Sequence, residues 1–170
     1  MSTPKIQIRG MAEADLLVIT EMEKQIFTDP WPITAFRDAL ADDTAVNLLA
    51  VCDSESEPAG YLTGQIVADE LHIHNVAVAE SHRRRGIGRR LLQHAERLGY
   101  RQNVTCSILE VRINNTPALA MYNRLGYRRI GRRRGYYRQP VCDALVLLKI
   151  LDDAEEKHLI SSGSGDGVVP

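Results

Sequence analysis

The run Arg83-Arg84-Arg85-Gly86-Ile87-Gly88-Arg89 sets two glycines among four arginines, directly ahead of an amphipathic stretch. Glycine lets a backbone approach a ligand closely, and the open N–H groups and dipole at a helix start favour an anion. Val76-Ala77-Val78 reads as the end of a strand just upstream, so the order is strand, glycine-rich loop, helix. A pyrophosphate is the natural guest of such a cradle. A nucleotide P-loop needs Gly-Lys-Ser/Thr, and a dinucleotide fingerprint needs a third glycine near Leu91; neither is present. A capped surface helix with solvated arginines is the alternative reading of the same residues.

Two further side chains could act on protons. In the expected strand Val104 to Val111, the even positions Val104, Cys106 and Ile108 form an apolar face that Glu110 continues. Desolvation raises a carboxyl pKa above its reference of about 4.3, towards what a base for an ammonium requires. Alternatively, Glu110 forms an ion pair with Arg112 or another arginine. Tyr122 lies on the following helix, and its phenol, with a reference pKa of about 10, stays protonated at neutral pH. It can serve as a proton donor or simply pack with a hydrogen-bonded hydroxyl. His72 and His74 share a strand face, but no third ligand accompanies them, so hydrogen-bonded imidazoles are expected rather than a metal site.

These residues need a scaffold. Lys5 to Arg9 alternates as a short strand, and Leu16, Ile19, Met22 and Ile26 have helical spacing within Ala12 to Phe27. Asp29-Pro30-Trp31-Pro32 ends that helix, and a second runs from Pro32 to Ala41. Strands are expected at Val46 to Cys52, Tyr61 to Val67 and Leu71 to Val78, with a turn at Asp53 to Pro58. The helix from Gly86 buries Ile87, Leu91, Leu92, Ala95 and Leu98 and stops at Gly99. Thr116 should cap the next helix, with Pro117 in its first position and Gly126 as its stop. Tyr127 to Arg133 and Cys142 to Ile150 close the domain as strands joined through Gly135 to Pro140. Helices alternating with strands, some strands adjoining without a helix, indicate an α/β domain around a mixed sheet.

At 170 residues, 44% hydrophobic and 25% charged, the chain suits one domain, placed at residues 1–151, with a polar, disordered tail over 152–170. The tail carries −4 and the remainder about +3. Cys52, Cys106 and Cys142 have no C-x-x-C spacing and are expected as buried, reduced thiols. No run reaches the ~18 apolar residues of a membrane span, and Met1 to Gly10 has no signal-peptide core; a soluble, cytoplasmic protein is expected.

Arg83-x-x-Gly86-x-Gly88 after Asn75-Val76-Ala77-Val78 resembles the acetyl-CoA pyrophosphate motif of the GNAT acetyltransferases. The resemblance extends to Asp29-Pro30-Trp31, Leu109-Glu110-Val111-Arg112, Asn115, Ala120-Met121-Tyr122, Leu125-Gly126-Tyr127 and Arg133-Arg134-Gly135-Tyr136-Tyr137, which together look like the RimI-type ribosomal-protein alanine N-acetyltransferases. It implies the GNAT fold, a mostly antiparallel mixed sheet of about seven strands flanked by about four helices. It implies acetyl-CoA as co-substrate and no metal, with Val76, Ala77, Val78, Arg83, Arg84, Arg85, Gly86, Ile87, Gly88, Arg89 and Asn115 on the cofactor. It further implies Glu110 as base, Tyr122 as acid, and Trp31, Tyr136 and Tyr137 beside the acceptor. The acceptor implied is a protein or peptide N-terminus, that of ribosomal protein S18, without membrane or direct nucleic-acid contact.

An α-amino group, with a reference pKa of about 7.7 to 8.0 against 10.4 for lysine, suits a modest base. Direct transfer is expected, since no cysteine stands in a nucleophile constellation. Rival readings are a small amine, an antibiotic or a lysine as acceptor. In another class altogether, the arginine runs would bind nucleic acid without catalysis. Arg132 to Arg134 would orient an acidic or ribosomal partner, or guard a strand edge.

Overall fold

The computed structural model describes residues 5–52 and 58–151. Most of the expected turn at Asp53 to Pro58, and the tail from Asp152, lie outside the described residues. Seven strands form one sheet in the order β1-β2-β3-β4-β5-β7-β6. They are β1 (Ile6–Gly10), β2 (Ala45–Cys52), β3 (Pro58–Val67), β4 (Glu70–Val78), β5 (Cys106–Arg112), β6 (Arg128–Arg138) and β7 (Val141–Ile150). Only β4 and β5 run parallel. Among the described residues four α-helices flank the sheet: α1 (Leu16–Ile26), α2 (Ile33–Ala41), α3 (Ile87–Tyr100) and α4 (Thr116–Arg124).

The helices divide the core into two layers, one on each sheet face. On one face, α3 inserts Ile87, Leu91, Leu92 and Ala95 among Leu62, Leu71, Ile73, Leu109, Val111 and Tyr122. On the other, Leu16, Ile19 and Met22 of α1 and Phe36 of α2 cover Leu49, Tyr61 and Ala77. Full burial of one such side chain contributes roughly 1.5–3 kcal/mol. Both layers grip β3 and β4, which fixes the strand leading into the glycine-rich loop.

Several local expectations are corrected. Gly99 does not stop α3; it lies inside the helix without a positive φ, and glycine suits the position because a Cβ there would stand 3.3 Å from Val104. The cap of α4 is Asn115 rather than Thr116, its Oδ1 accepting from the Ala118 N–H at 3.3 Å. β6 runs on through Gly135, which sits at φ +57 within an irregular pairing and donates its N–H to Asp143 Oδ1 at 2.8 Å. Cys52 and Cys106 are buried as expected, but Cys142 is only half-buried.

The expected apolar face of β5 is also corrected. Ser107, Leu109 and Val111 are the deeply buried positions, because α3 and α4 pack on the odd face. Glu110 therefore belongs to the opposite, more open face.

Candidate active site

β4 and β5 pair only from Glu70↔Cys106 to Ile73↔Leu109. Beyond that point Val76, Ala77 and Val78 continue beside β3, while Glu110, Val111 and Arg112 continue beside β7. The sheet opens there into a wedge whose β4 edge has no strand partner on the β5 side. A register shift opposite Thr63 and Gly64, which pair with Asn75 and Ile73, leaves His74 as the extra residue at the mouth.

At the end of β4 the chain makes a short turn and enters α3. Arg84 and Gly86 adopt φ +67 and +75, which curls the loop beneath the helix start. The first α3 hydrogen bond of this turn runs from Arg90 N to Gly86 O at 3.0 Å, so the N–H groups of Ile87, Gly88 and Arg89 precede the helical ladder. Arg83, Arg84, Arg85 and Arg89 are exposed around them. Arg83 folds back, its Nε 3.4 Å from the Val78 carbonyl, whereas Arg90 turns away to the Ile6 carbonyl at 2.8 Å. Glycine is needed at position 60, where a Cβ would stand 2.6 Å from the Ala77 carbonyl oxygen and 3.3 Å from Ile87. The close approach of β3, β4 and the start of α3 depends on it.

Glu110 and Tyr122 flank the wedge from opposite sheet faces. Tyr122 belongs to the α3/α4 layer, and its ring meets Tyr127 edge-on at 5.7 Å. Burial pushes its phenol pKa well up, and Tyr137 adds to the effect. The Glu110 carboxylate lies on the other face, 3.1 Å from the Arg133 guanidinium, so the ion-pair reading of Glu110 is realised with Arg133 rather than Arg112. Arg112 instead stacks over Tyr137 at 4.1 Å and donates to the Gln139 and Pro140 carbonyls at 3.0 and 3.1 Å.

Of the side chains expected near an acceptor, Tyr137 touches Glu110, while Tyr136 and Trp31 approach it through neighbours. The Tyr137 hydroxyl reaches the Glu110 carbonyl at 3.5 Å, and burial pushes its pKa up to about 12. Tyr136 is exposed and meets Tyr137 edge-on at 5.1 Å. Trp31 comes from the α1–α2 loop, with its ring 5.5 Å from Phe36 and 6.1 Å from His74. The pKa of His74 falls below 6.5, first through desolvation and then through His72, with Glu110 opposing; part of the ring still meets solvent. His72 bonds Glu70 at 2.8 Å, the hydrogen-bonded role expected of it. The Thr28 hydroxyl donates to the Gln139 carbonyl, joining the Trp31 loop to the β6–β7 turn.

Asn115, expected on the cofactor, spends its side-chain oxygen on the α4 cap. Met121, part of the Ala120-Met121-Tyr122 motif but given no role by it, lies where a Cβ at Gly88 would stand 3.4 Å from its sulfur, so α4 touches the cradle there. Glu23 was missed as well: the Tyr61 hydroxyl, Asn75 Nδ2 at 3.2 Å and the Trp31 N–H at 3.0 Å all bond its carboxylate. No sequence signal marks it, because it continues the apolar spacing of α1. Among the described residues no group of three His, Cys, Asp or Glu side chains could hold a metal, and no helix is long and apolar enough to cross a membrane.

Comparison with known proteins places this geometry. The acetyltransferase (GNAT) family model matches residues 16–127. The N-alpha-acetyltransferase RimI of Mycobacterium tuberculosis is 35% identical over 151 residues, covering 85% of this chain and 92% of that protein. The ribosomal protein bS18-alanine N-acetyltransferase of Salmonella typhimurium is 32% identical over 127 residues, covering 75% and 84%. The crystal structure of the ribosomal-protein-S18-alanine N-acetyltransferase from Escherichia coli superposes with a TM-score of 0.79 at 27% identity, covering 87% of this chain and 95% of that one. The chain belongs to the GNAT family of acetyl-CoA-dependent N-acetyltransferases.

Proposed function

We propose that this chain, through a domain spanning residues 1–151, acetylates the N-terminal alanine of ribosomal protein bS18 in the cytoplasm. The observation that carries the proposal is the wedge between β4 and β5, with a helix start at its end and Glu110 and Tyr122 on its two sides. The relatives named for this acceptor match across most of the chain.

In this reading the N–H groups at the start of α3 and the arginines from Arg83 to Arg89 hold the pyrophosphate. The open edge of Val76 to Val78 holds the pantetheine arm by strand-like hydrogen bonds, and the Val78 amide polarises the thioester carbonyl. Asn115 contributes through the α4 cap, which sets where that helix begins beside the arm. Trp31, Tyr136 and Tyr137 border the acceptor.

The neutral α-amine attacks the thioester carbonyl, its proton passes to the Glu110 carboxylate directly or through water, and the carbon–sulfur bond breaks. Proximity of the two reactants supplies much of the acceleration, and no acyl-enzyme is required. The sequence expectation that Tyr122 protonates the leaving thiolate is refined. A phenol whose pKa is pushed above that of a thiol transfers its proton uphill, so its main contribution is a hydrogen bond that stabilises the departing sulfur.

Mass spectrometry of peptides incubated with enzyme and acetyl-CoA tests the reading. A bS18 N-terminal peptide should gain one acetyl group on its α-amine. Faster turnover on spermidine-like amines, an aminoglycoside or a lysine side chain would refute the acceptor.

A further inference from the structure

Glu23 lies on the last full turn of α1 among Leu16, Ile19 and Met22, and only 1% of its surface is exposed. An apolar side chain would pack at this position without the desolvation cost of a carboxylate. The carboxylate instead gathers donors from three separate segments. The Tyr61 hydroxyl comes from β3, the Asn75 side-chain amide from β4 at 3.2 Å, and the Trp31 N–H from the α1–α2 loop at 3.0 Å. None of these donors is charged, so the group is bound as an anchor rather than neutralised as an ion pair.

The anchored parts belong to the site. Asn75 immediately precedes Val76 at the wedge, and Trp31 carries the ring that stands 6.1 Å from His74, which in turn feels the charge of Glu110. A loop of Asp29-Pro30-Trp31-Pro32 has two prolines and few N–H groups with which to bond a strand. The Thr28 hydroxyl ties its start to the β6–β7 turn, and the Trp31 N–H ties its centre to Glu23.

We propose that Glu23 is a positioning residue for the acceptor: by bonding the Trp31 backbone and the Asn75 amide together, it holds Trp31 against β4 and so sets affinity for the incoming N-terminus. The inference rests on the assignment of Trp31 to the acceptor side. It predicts that Glu23 governs the acceptor KM and leaves donor binding alone.

Trp31 is the chain's single tryptophan, so its emission reports the loop position without a label. Glu23→Gln keeps the shape of the side chain but replaces charge-assisted bonds by neutral ones, and Tyr61→Phe removes one donor. Both variants should shift the Trp31 emission and raise the acceptor-peptide KM roughly five- to tenfold, with the acetyl-CoA KM unchanged. Burial raises the Glu23 carboxyl pKa to about 6, so wild-type emission should titrate near that pH and the Gln variant should not. The other titratable groups bearing on this unit are Tyr61 on β3 and His74 on β4, and His74→Asn removes the imidazole contribution from the emission curve.

Wild-type emission and acceptor KM in Glu23→Gln would overturn the proposal. Shifted emission with an unchanged acceptor KM would leave the anchor intact but refute Trp31 as an acceptor contact, and the affinity claim would fall with it. Equal losses in both KM values together with a lowered Tm would mark a purely structural role and would also overturn the proposal.

Discussion

The Glu110 carboxylate on β5 and the Arg133 guanidinium on β6 meet across β7 at 3.1 Å. Their side chains differ in exposure, 23% for Glu110 against 56% for Arg133. A pair with one partner so exposed contributes about 0–1 kcal/mol and is readily broken when the acceptor amine enters.

Glu110→Gln should therefore lower kcat by about 10²- to 10⁴-fold while leaving the affinity for acetyl-CoA near wild type. Arg133→Ala should change the unfolding free energy by less than ~1 kcal/mol and leave a base in place. Steady-state kinetics with calorimetric titration of CoA decides the matter: if the Gln variant turns over normally, Glu110 is only the partner of Arg133.

Tyr122→Phe preserves the ring that packs on Tyr127 and removes only the hydroxyl. Loss of a hydrogen bond to the departing sulfur should cost about 10² in kcat, with stability changed by no more than ~1 kcal/mol. A denaturation curve and an initial-rate series on the same preparation separate the two effects. Unchanged kcat would remove Tyr122 from the chemistry.

Glu23 also makes folding stability depend on pH. Its folded-state pKa of about 6 exceeds the ordinary value of 4.5, so the native state holds the proton where the unfolded state has lost it. The resulting stabilisation is fully present below about pH 4.5 and is lost as pH rises to about 6, on the order of 1–2 kcal/mol. Asp15, Asp42 and Asp143 have lowered pKa values, so their contributions are present above the ordinary 3.8 and are lost below it, outside this window. His74 acts with the opposite sign, since its pKa is depressed below 6.5 and stability rises with pH there. Subtracting the Tm-versus-pH curve of Glu23→Gln from that of wild type isolates Glu23. A flat difference between pH 4.5 and 6 would contradict the raised pKa.

The periodic features of the fold are legible in the sequence. The apolar spacing of α3, the alternation of the strands and the Gly86-Ile87-Gly88 loop all report backbone geometry that neighbouring residues dictate. Features set by distant contacts are not. Gly99 looks like a helix stop until Val104 is seen pressed against it. The faces of β5 look reversed because its even residues are apolar, whereas α3 and α4 choose the odd face. Glu23 occupies a helical core position in sequence, and only the convergence of β3, β4 and the Trp31 loop shows why a carboxylate stands there. The motif residues from Val76 to Arg89 do converge on one end of the wedge, since a single strand, turn and helix carries them. Glu110 and Tyr137 meet only because β5, β7 and β6 lie side by side, and Trp31 joins that end of the sheet through His74 and the Thr28 bond to Gln139.

Gly60→Ala tests whether the donor and acceptor sides are separable. The added Cβ would lie 2.6 Å from the Ala77 carbonyl oxygen and 3.3 Å from Ile87, and backbone cannot yield as a flexible side chain can. β4 must shift away from β3, with Ile87 giving slightly, at a cost of about 1–3 kcal/mol. That movement displaces the open edge of Val76 to Val78 relative to the cradle directly, and reaches the Trp31 loop only at one remove, through Asn75 and the Glu23 carboxylate. The acetyl-CoA KM should rise on the order of tenfold, the acceptor KM by clearly less, and Tm should fall by several degrees. Calorimetric titration of CoA beside a thermal melt checks all three. An acceptor KM that rose as much as the donor KM would mean that the two sides of the wedge move as one unit.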